Sequence, residues 1–283
     1  MVNGPAHQYE HRQSYHNLRI VQFHPISNIS KATQENVAAF HERSLEANYS
    51  VLFLDGTYLP LRRGTVSKEC IQIALGITPE GQKAVLGYEI APNENNASWS
   101  TLLDKLQNQG IQQISLVVTD GFKGLEQIIS QAHPLAKQQC CLIHISRNLA
   151  SKVKRADRAV ILGQFIMIYR AENLEMAGQA LEDFLAEWKP KYRKVMESLE
   201  KTDNLLTFYQ FPYQIWHSMY STNLIESLNK EIKHQTKKKV LFPNEEALER
   251  YLVTLFEDYN FKQSQRIHKG FGQCSDTLES LFN

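Results

Sequence analysis

Two runs of consecutive apolar residues, Val51-Leu52-Phe53-Leu54 and Leu116-Val117-Val118, lead into an aspartate followed by glycine, Asp55-Gly56 and Asp120-Gly121. Unbroken apolar runs of this length form central strands, because neither face of such a strand is left in water. A carboxylate at the tip of a buried strand is well placed to hold a hard cation at a sheet edge, where ligands collect. The alternative is that each Asp is a turn former or helix cap that satisfies free backbone N–H groups.

Strand-like patterns at 50–55, 58–62, 70–75 and 83–91, with the turn Thr78-Pro79-Glu80-Gly81 between the last two, predict an antiparallel meander. Helix-period segments at 98–107 and 122–131 then alternate with strands at 114–119 and 138–142. The expected fold is α/β, a mixed sheet with helices packed on it. From Ile145 to Tyr209 apolar residues recur at three and four spacing, and the stretch reads as all helix, with helices at 146–154, 156–169, 173–187 and 191–200. Two more helices, at 223–236 and 244–259, close the chain. With 283 residues and 42% hydrophobic content, the chain can bury one core, or a core plus an inserted subdomain. The expected division is 50–144 for the first part of the core, 145–215 for a helical insertion and 216–283 for returning helices. Residues 26–49 carry a short helix, and the polar, His-rich residues 1–25 read as poorly structured or foreign to the fold.

The balance of 31 Lys+Arg against 30 Asp+Glu gives a net charge of +1, so contact with nucleic acid must come from local patches. Two concentrations qualify: Arg147, Lys152, Lys154, Arg155 and Arg158, then Lys230, Lys233, Lys237, Lys238 and Lys239. Such runs are also ordinary solvated helix faces. Cys70, Cys140, Cys141 and Cys274 lack the regular spacing of a disulfide framework, which fits a reducing, cytoplasmic setting. The N-terminus has no apolar signal segment, and the oiliest stretch, 159–169, is broken by Gly163 and Gln164, so neither secretion nor membrane insertion is expected.

Leu224, Leu228 and Ile232 form the core stripe of a helix, and Glu226 sits off that stripe beside Asn229, Lys230 and Lys233. Asn223 and Glu226 also have capping-box spacing, in which the glutamate only closes the helix start. Cys141 and His144 offer two ligands of a four-ligand zinc site with no second pair at a suitable spacing, so packing is the simpler reading. Trp188 and Tyr192, at helical spacing, read as core residues.

Val51-Leu52-Phe53-Leu54-Asp55-Gly56-Thr57-Tyr58, Val117-Val118-Thr119-Asp120-Gly121, Cys141-Leu142-Ile143-His144 with Arg147-Asn148, and Tyr220-Ser221-Thr222-Asn223-Leu224-Ile225-Glu226-Ser227-Leu228-Asn229 follow one another along the chain. In this order they resemble the blocks of mutator-type bacterial insertion-sequence transposases, the last block being the most specific. The similarity runs from about residue 26 to the C-terminus. The resemblance implies an RNase H-like fold with a DDE triad: Asp55 on the first strand, Asp120 on the fourth, and Glu226 on a helix that returns its carboxylate beside them. It also implies an all-helical insertion between Asp120 and Glu226, and a Cys-x-x-His element at Cys141 and His144 with no assigned role. Arg147, Lys152, Arg155, Asn229, Lys230, Lys233, Lys237 and Lys238 are the expected DNA contacts. Two departures stand out. Ile215-Trp216-His217 occupies the place where relatives often carry an arginine, and relatives carry a longer DNA-binding region ahead of the core than the residues preceding Asp55 here. The chain is therefore expected to fold around its core yet not to recognise element ends.

Three carboxylates can hold two divalent ions, Mg²⁺ or Mn²⁺, roughly 3.5–4 Å apart in such sites, one activating the attacking oxygen and the other stabilising the leaving oxygen. Water would free a 3′-hydroxyl at the element end, and that hydroxyl would attack a second strand. The expected partners are element-end and target DNA and, in the active state, further copies of the chain. Two readings compete: an RNase H-like nuclease or resolvase that does not join DNA, and a non-mobile remnant that only binds it.

Overall fold

The computed structural model describes residues 34–63, 65–236 and 241–282. The expectations for residues 1–33 and for Lys237, Lys238 and Lys239 lie outside the described residues.

Five strands, β1 (Asn48–Arg63), β2 (Thr65–Ile77), β3 (Lys83–Ala91), β4 (Gln113–Thr119) and β5 (Lys137–Cys140), form one sheet in the order β3-β2-β1-β4-β5. The meander β1-β2-β3 is antiparallel, whereas β4 runs parallel to β1 and β5 parallel to β4. The sheet is mixed, as its strand patterns predict. The separate strands expected at 50–55 and 58–62 are a single strand: the ladder with β2 runs unbroken from Val51 opposite Ile77 to Arg63 opposite Thr65. Gly56 and Thr57 look like a turn locally, but β2 satisfies their neighbourhood and carries the strand through them.

Side chains alternate across a strand. Val51, Phe53, Leu59 and Leu61 enter the larger core, and Leu52 and Leu54 enter a smaller one on the opposite face. That two-sided burial is why the run is apolar at every position.

Along the chain the helices are α1 (Gln34–Glu42), α2 (Asn96–Asn108), α3 (Leu125–Ala132), α4 (Leu142–Lys152), α5 (Arg155–Tyr169), α6 (Leu174–Trp188), α7 (Arg193–Glu200), α8 (Trp216–Met219), α9 (Asn223–Thr236), α10 (Glu245–Ser264) and α11 (Ser275–Glu279). α2 and α3 cover the smaller core through Trp99, Leu102, Leu103, Leu106, Leu125 and Ile129. Asn95 starts α2, its side chain accepting the Ser98 N–H at 2.9 Å. α9 and α10 pack on the larger core with the helices that follow β5. Between β5 and α9 the described residues hold helices and 3-10 turns and no strand.

Two local expectations shift. The strand expected to reach Leu142 stops at Cys140, because the Cys141 N–H bonds Thr119 at 2.7 Å, the Leu142 N–H bonds Tyr220 at 2.9 Å, and Leu142 opens α4 instead. The helix expected from Phe122 starts at Leu125, since Gly121 and Gly124, both at φ 88°, hold the chain in left-handed turns first. Trp188 and Tyr192 pack ring to ring, centroids 6.1 Å apart. All four cysteines are free and buried. Among the described residues no helix is long and apolar enough to cross a membrane.

Candidate active site

The parallel register sets Val51 beside Leu116, Leu52 beside Val117 and Phe53 beside Val118. The paired register ends there, and two residues beyond that last pair along the sequence stand Asp55 and Asp120. β4 ends at Thr119 while β1 continues, so the pair lies where the sheet opens beside β1. Asp55 continues the series Val51, Phe53 and therefore points to the face that α9 covers. One oxygen of Asp120 does form a turn, accepting the Phe122 N–H at 3.1 Å.

Asp55 is only 9% exposed, and one of its oxygens accepts from Asn229 Nδ2 at 2.8 Å. Burial pushes the Asp55 carboxyl up to about 7, with the charges of Asp120 and Glu226 adding to the rise and His144 and Asn229 opposing it. The charges of Asp120 and Glu226, both far from Asp55 in sequence, thus bear on it.

Glu226, in the first turn of α9, does not reach back to Asn223. It crosses to α4, where Arg147 donates to both of its oxygens at 2.7 and 2.9 Å and His144 Nε2 stands 3.6 Å away. Hydrogen bonding from Arg147, against the cost of burial, holds the Glu226 carboxyl below its ordinary range. The capping-box alternative is not what the side chain does.

Cys141 and His144 border the same carboxylate. The Cys141 sulfur accepts from the Thr222 N–H and hydroxyl, both at 3.2 Å, and Thr222 Oγ1 lies 3.3 Å from His144 Nδ1. Burial alone would raise the Cys141 thiol, but hydrogen bonds from His144 and Thr222 outweigh it and bring the group below its ordinary value. The bond to Cys141 in turn raises His144.

Of the expected DNA contacts, Lys152, Arg155, Lys230 and Lys233 are exposed. Arg147 is half exposed and bound to Glu226. Asn229 is buried at 6% exposure, one helical turn beyond Glu226 on the side that meets β1, and its donor is directed at Asp55. His217, where relatives often carry arginine, bonds Tyr220 Oη through Nδ1 at 2.6 Å.

Glu94, which the sequence did not single out, is a fourth carboxylate here. The Trp99 Nε1–H donates to it at 3.1 Å, and burial and then the charge of Asp120 raise its carboxyl. A Cβ on Gly56 would lie 3.3 Å from Glu94 Oε2 and 3.2 Å from the Cys70 sulfur, so a side chain there would make one of these neighbours give by a few tenths of an ångström. Glu94 lies in a polar loop with no periodic signal; only the packing of α2 brings it to Asp120.

A family model described as "Transposase, Mutator family" matches residues 19–264. The chain belongs to the Mutator family of transposases. This Mutator-family chain is 94% identical over 258 residues to the transposase for insertion sequence element IS905 of Lactococcus lactis, covering 91% of the chain and 66% of that relative. It is 40% identical over 228 residues to the transposase for IS1201 of Lactobacillus helveticus, covering 80% of the chain and 62% of the relative. With the transposase for IS256 in transposon Tn4001 of Staphylococcus aureus it shares 28% identity over 240 residues, 82% of the chain and 61% of the relative. The Mutator-family chain thus spans just under two thirds of the length of each of these relatives.

Proposed function

We propose that this chain carries the catalytic centre of an insertion-sequence transposase, a metal-dependent DNA cleavage and strand-transfer enzyme with Asp55, Asp120 and Glu226 as its acidic triad. The observation that carries the reading is the parallel pairing of β1 with β4 up to Phe53 and Val118, two residues short of Asp55 and Asp120, with the charges of Asp120 and Glu226 acting on Asp55. The strand order, with Asp55 on the first strand and Asp120 after the fourth, supports an RNase H-like core made of residues 50–144 and 216–283. The helices between β5 and α8 support reading 145–215 as an insertion into it.

The donor set fits a hard divalent cation. It is all oxygen, and Asp55 has a raised carboxyl that a cation would bring back down, with one amide as its hydrogen-bond donor. Mg²⁺ or Mn²⁺ held by the three carboxylates would supply Lewis-acid activation of the attacking and leaving oxygens. Asn229 orients Asp55, and Arg147 holds Glu226 until the site is filled. Lys152, Arg155, Lys230 and Lys233 are positioned on the surface to meet phosphates, which orient DNA without reading its sequence. Element-end and target DNA are the proposed substrates, and assembly with further copies the proposed active state.

The test measures Mn²⁺ binding and DNA joining together. Asp55→Asn and Asp120→Asn should each abolish cleavage and strand transfer in the full-length transposase, weaken Mn²⁺ binding and leave DNA binding largely intact. Cleavage without joining in the unsubstituted enzyme would make it a nuclease. Unchanged Mn²⁺ binding in both variants would remove the metal role.

A further inference from the structure

We propose that Cys141, His144 and Glu226 form a second metal site, separate from the aspartate pair, for a borderline-soft divalent ion such as Zn²⁺. One ligand atom from each of the three residues lies within 4.8 Å of the other two. Cys141 is the N-cap of α4 and His144 lies on its first turn, so the Cys-x-x-His spacing turns both toward α9. Along the sequence this pair lacks further ligands; the fold adds the third from a helix that begins at Asn223.

The donors are a thiol, an imidazole and a carboxylate, the three types that bind Zn²⁺, and three protein ligands leave a fourth position open. The surroundings have the features of an outer shell. Thr222 donates to the sulfur from both its N–H and its hydroxyl, which favours the thiolate, and also contacts His144 Nδ1. His144 Nε2 faces Glu226 Oε1 at 3.6 Å. Sulfur and nitrogen donors discriminate against Mg²⁺, whereas the aspartates, being all oxygen, favour it. On binding, the ion replaces the Cys141 thiol proton, which leaves to solvent. Arg147, whose side chain is 53% exposed, is free to withdraw as the ion takes up the charge of Glu226. A thiophilic ion held here takes an oxygen of a carboxylate that the proposed transposase reaction needs, so Zn²⁺ inhibits that reaction. The site itself stands independently of that reading.

Co²⁺ titrated into the reduced, purified chain reports a sulfur–metal bond through its near-ultraviolet thiolate charge-transfer band, and competition with Zn²⁺ then measures affinity for Zn²⁺. The band is expected in the unsubstituted chain and lost in Cys141→Ser, whose hydroxyl can still accept from Thr222. His144→Asn should weaken Co²⁺ and Zn²⁺ binding by more than about tenfold, the smaller end of what loss of even an outer-shell partner costs. Because His144 is partly exposed, this variant carries the test if Cys141→Ser does not fold. Asp55→Asn should leave both affinities within about twofold, less than any loss of a ligand or its support. A missing band in the unsubstituted chain, a band that survives Cys141→Ser, or equal weakening by Asp55→Asn and His144→Asn would overturn the proposal. Failure of the triad reading shows separately, as Mn²⁺ binding indifferent to Asp55→Asn.

Discussion

Asn229 donates from Nδ2 to Asp55 Oδ2 over 2.8 Å, while its own Oδ1, also buried, has no hydrogen-bond partner among the described residues. A buried amide with one end unsatisfied costs stability that an apolar side chain of similar size would not. The residue type at 229 is therefore explained by Asp55 and not by packing. Asn229→Ala should destabilise the chain by about 1–3 kcal/mol above pH 8, where Asp55 is ionised and needs its donor. The loss should be smaller near pH 5, where the carboxyl is protonated. Urea denaturation at the two pH values checks this, and equal losses would assign Asn229 to packing alone.

The raised carboxyl of Asp55 makes the metal-free chain less stable as pH rises. Its folded value of about 7 lies above the ordinary 3.8, so between these two the folded chain holds the proton more tightly than the unfolded one. Stability from this group is fully present below about pH 4 and is lost as pH climbs to about 7. Each unit of difference corresponds to about 1.4 kcal/mol, giving a total on the order of a few kcal/mol. Asp55→Asn should flatten this part of the pH–stability curve; an unchanged slope in the variant would mean that other groups cause it. Mn²⁺ at pH 8 should restore much of the lost stability, because an ion that binds only the folded chain stabilises it by mass action.

Arg147 holds both oxygens of Glu226, the oxygens that the proposed metal ion would need. The arginine is half exposed, so the pair is worth at most about 1 kcal/mol to the fold. Arg147→Ala should leave the melting temperature nearly unchanged while tightening Mn²⁺ binding by about two- to fivefold, the equivalent of that energy. Weaker Mn²⁺ binding in the variant would show instead that Arg147 supports Glu226 as a ligand.

Lys230 and Lys233 lie on the exposed side of α9, on the helix that carries Glu226 and Asn229. If they meet phosphates, Lys230→Ala and Lys233→Ala should each weaken binding to any duplex alike and lower the salt slope by about 1. Titrations against duplex DNA over a range of salt concentrations measure both quantities. A slope identical to that of the unsubstituted chain would take α9 out of the DNA-binding surface.

The sequence by itself determined the features that depend on neighbours along the chain. Apolar runs marked β1 and β4, three-and-four periodicity marked α4 to α7, α9 and α10, and the Asp-Gly steps after two apolar runs named Asp55 and Asp120 as candidates. Those signals are local because strand and helix periods repeat within a few residues. In two places a distant partner overruled local chemistry: β2 carries β1 straight through Gly56-Thr57, and the backbone bonds of Cys141 and Leu142 to Thr119 and Tyr220 turn a strand end into a helix start. The tertiary structure alone decided which side chains meet. The β1–β4 register brings the stretches leading to Asp55 and Asp120 side by side, the rotation of α9 buries Asn229 against Asp55, and the approach of α4 gives Glu226 to Arg147 and His144 instead of to its own helix start. These contacts join residues dozens of positions apart, and their geometry follows from how sheet and helices pack, which no window of sequence contains.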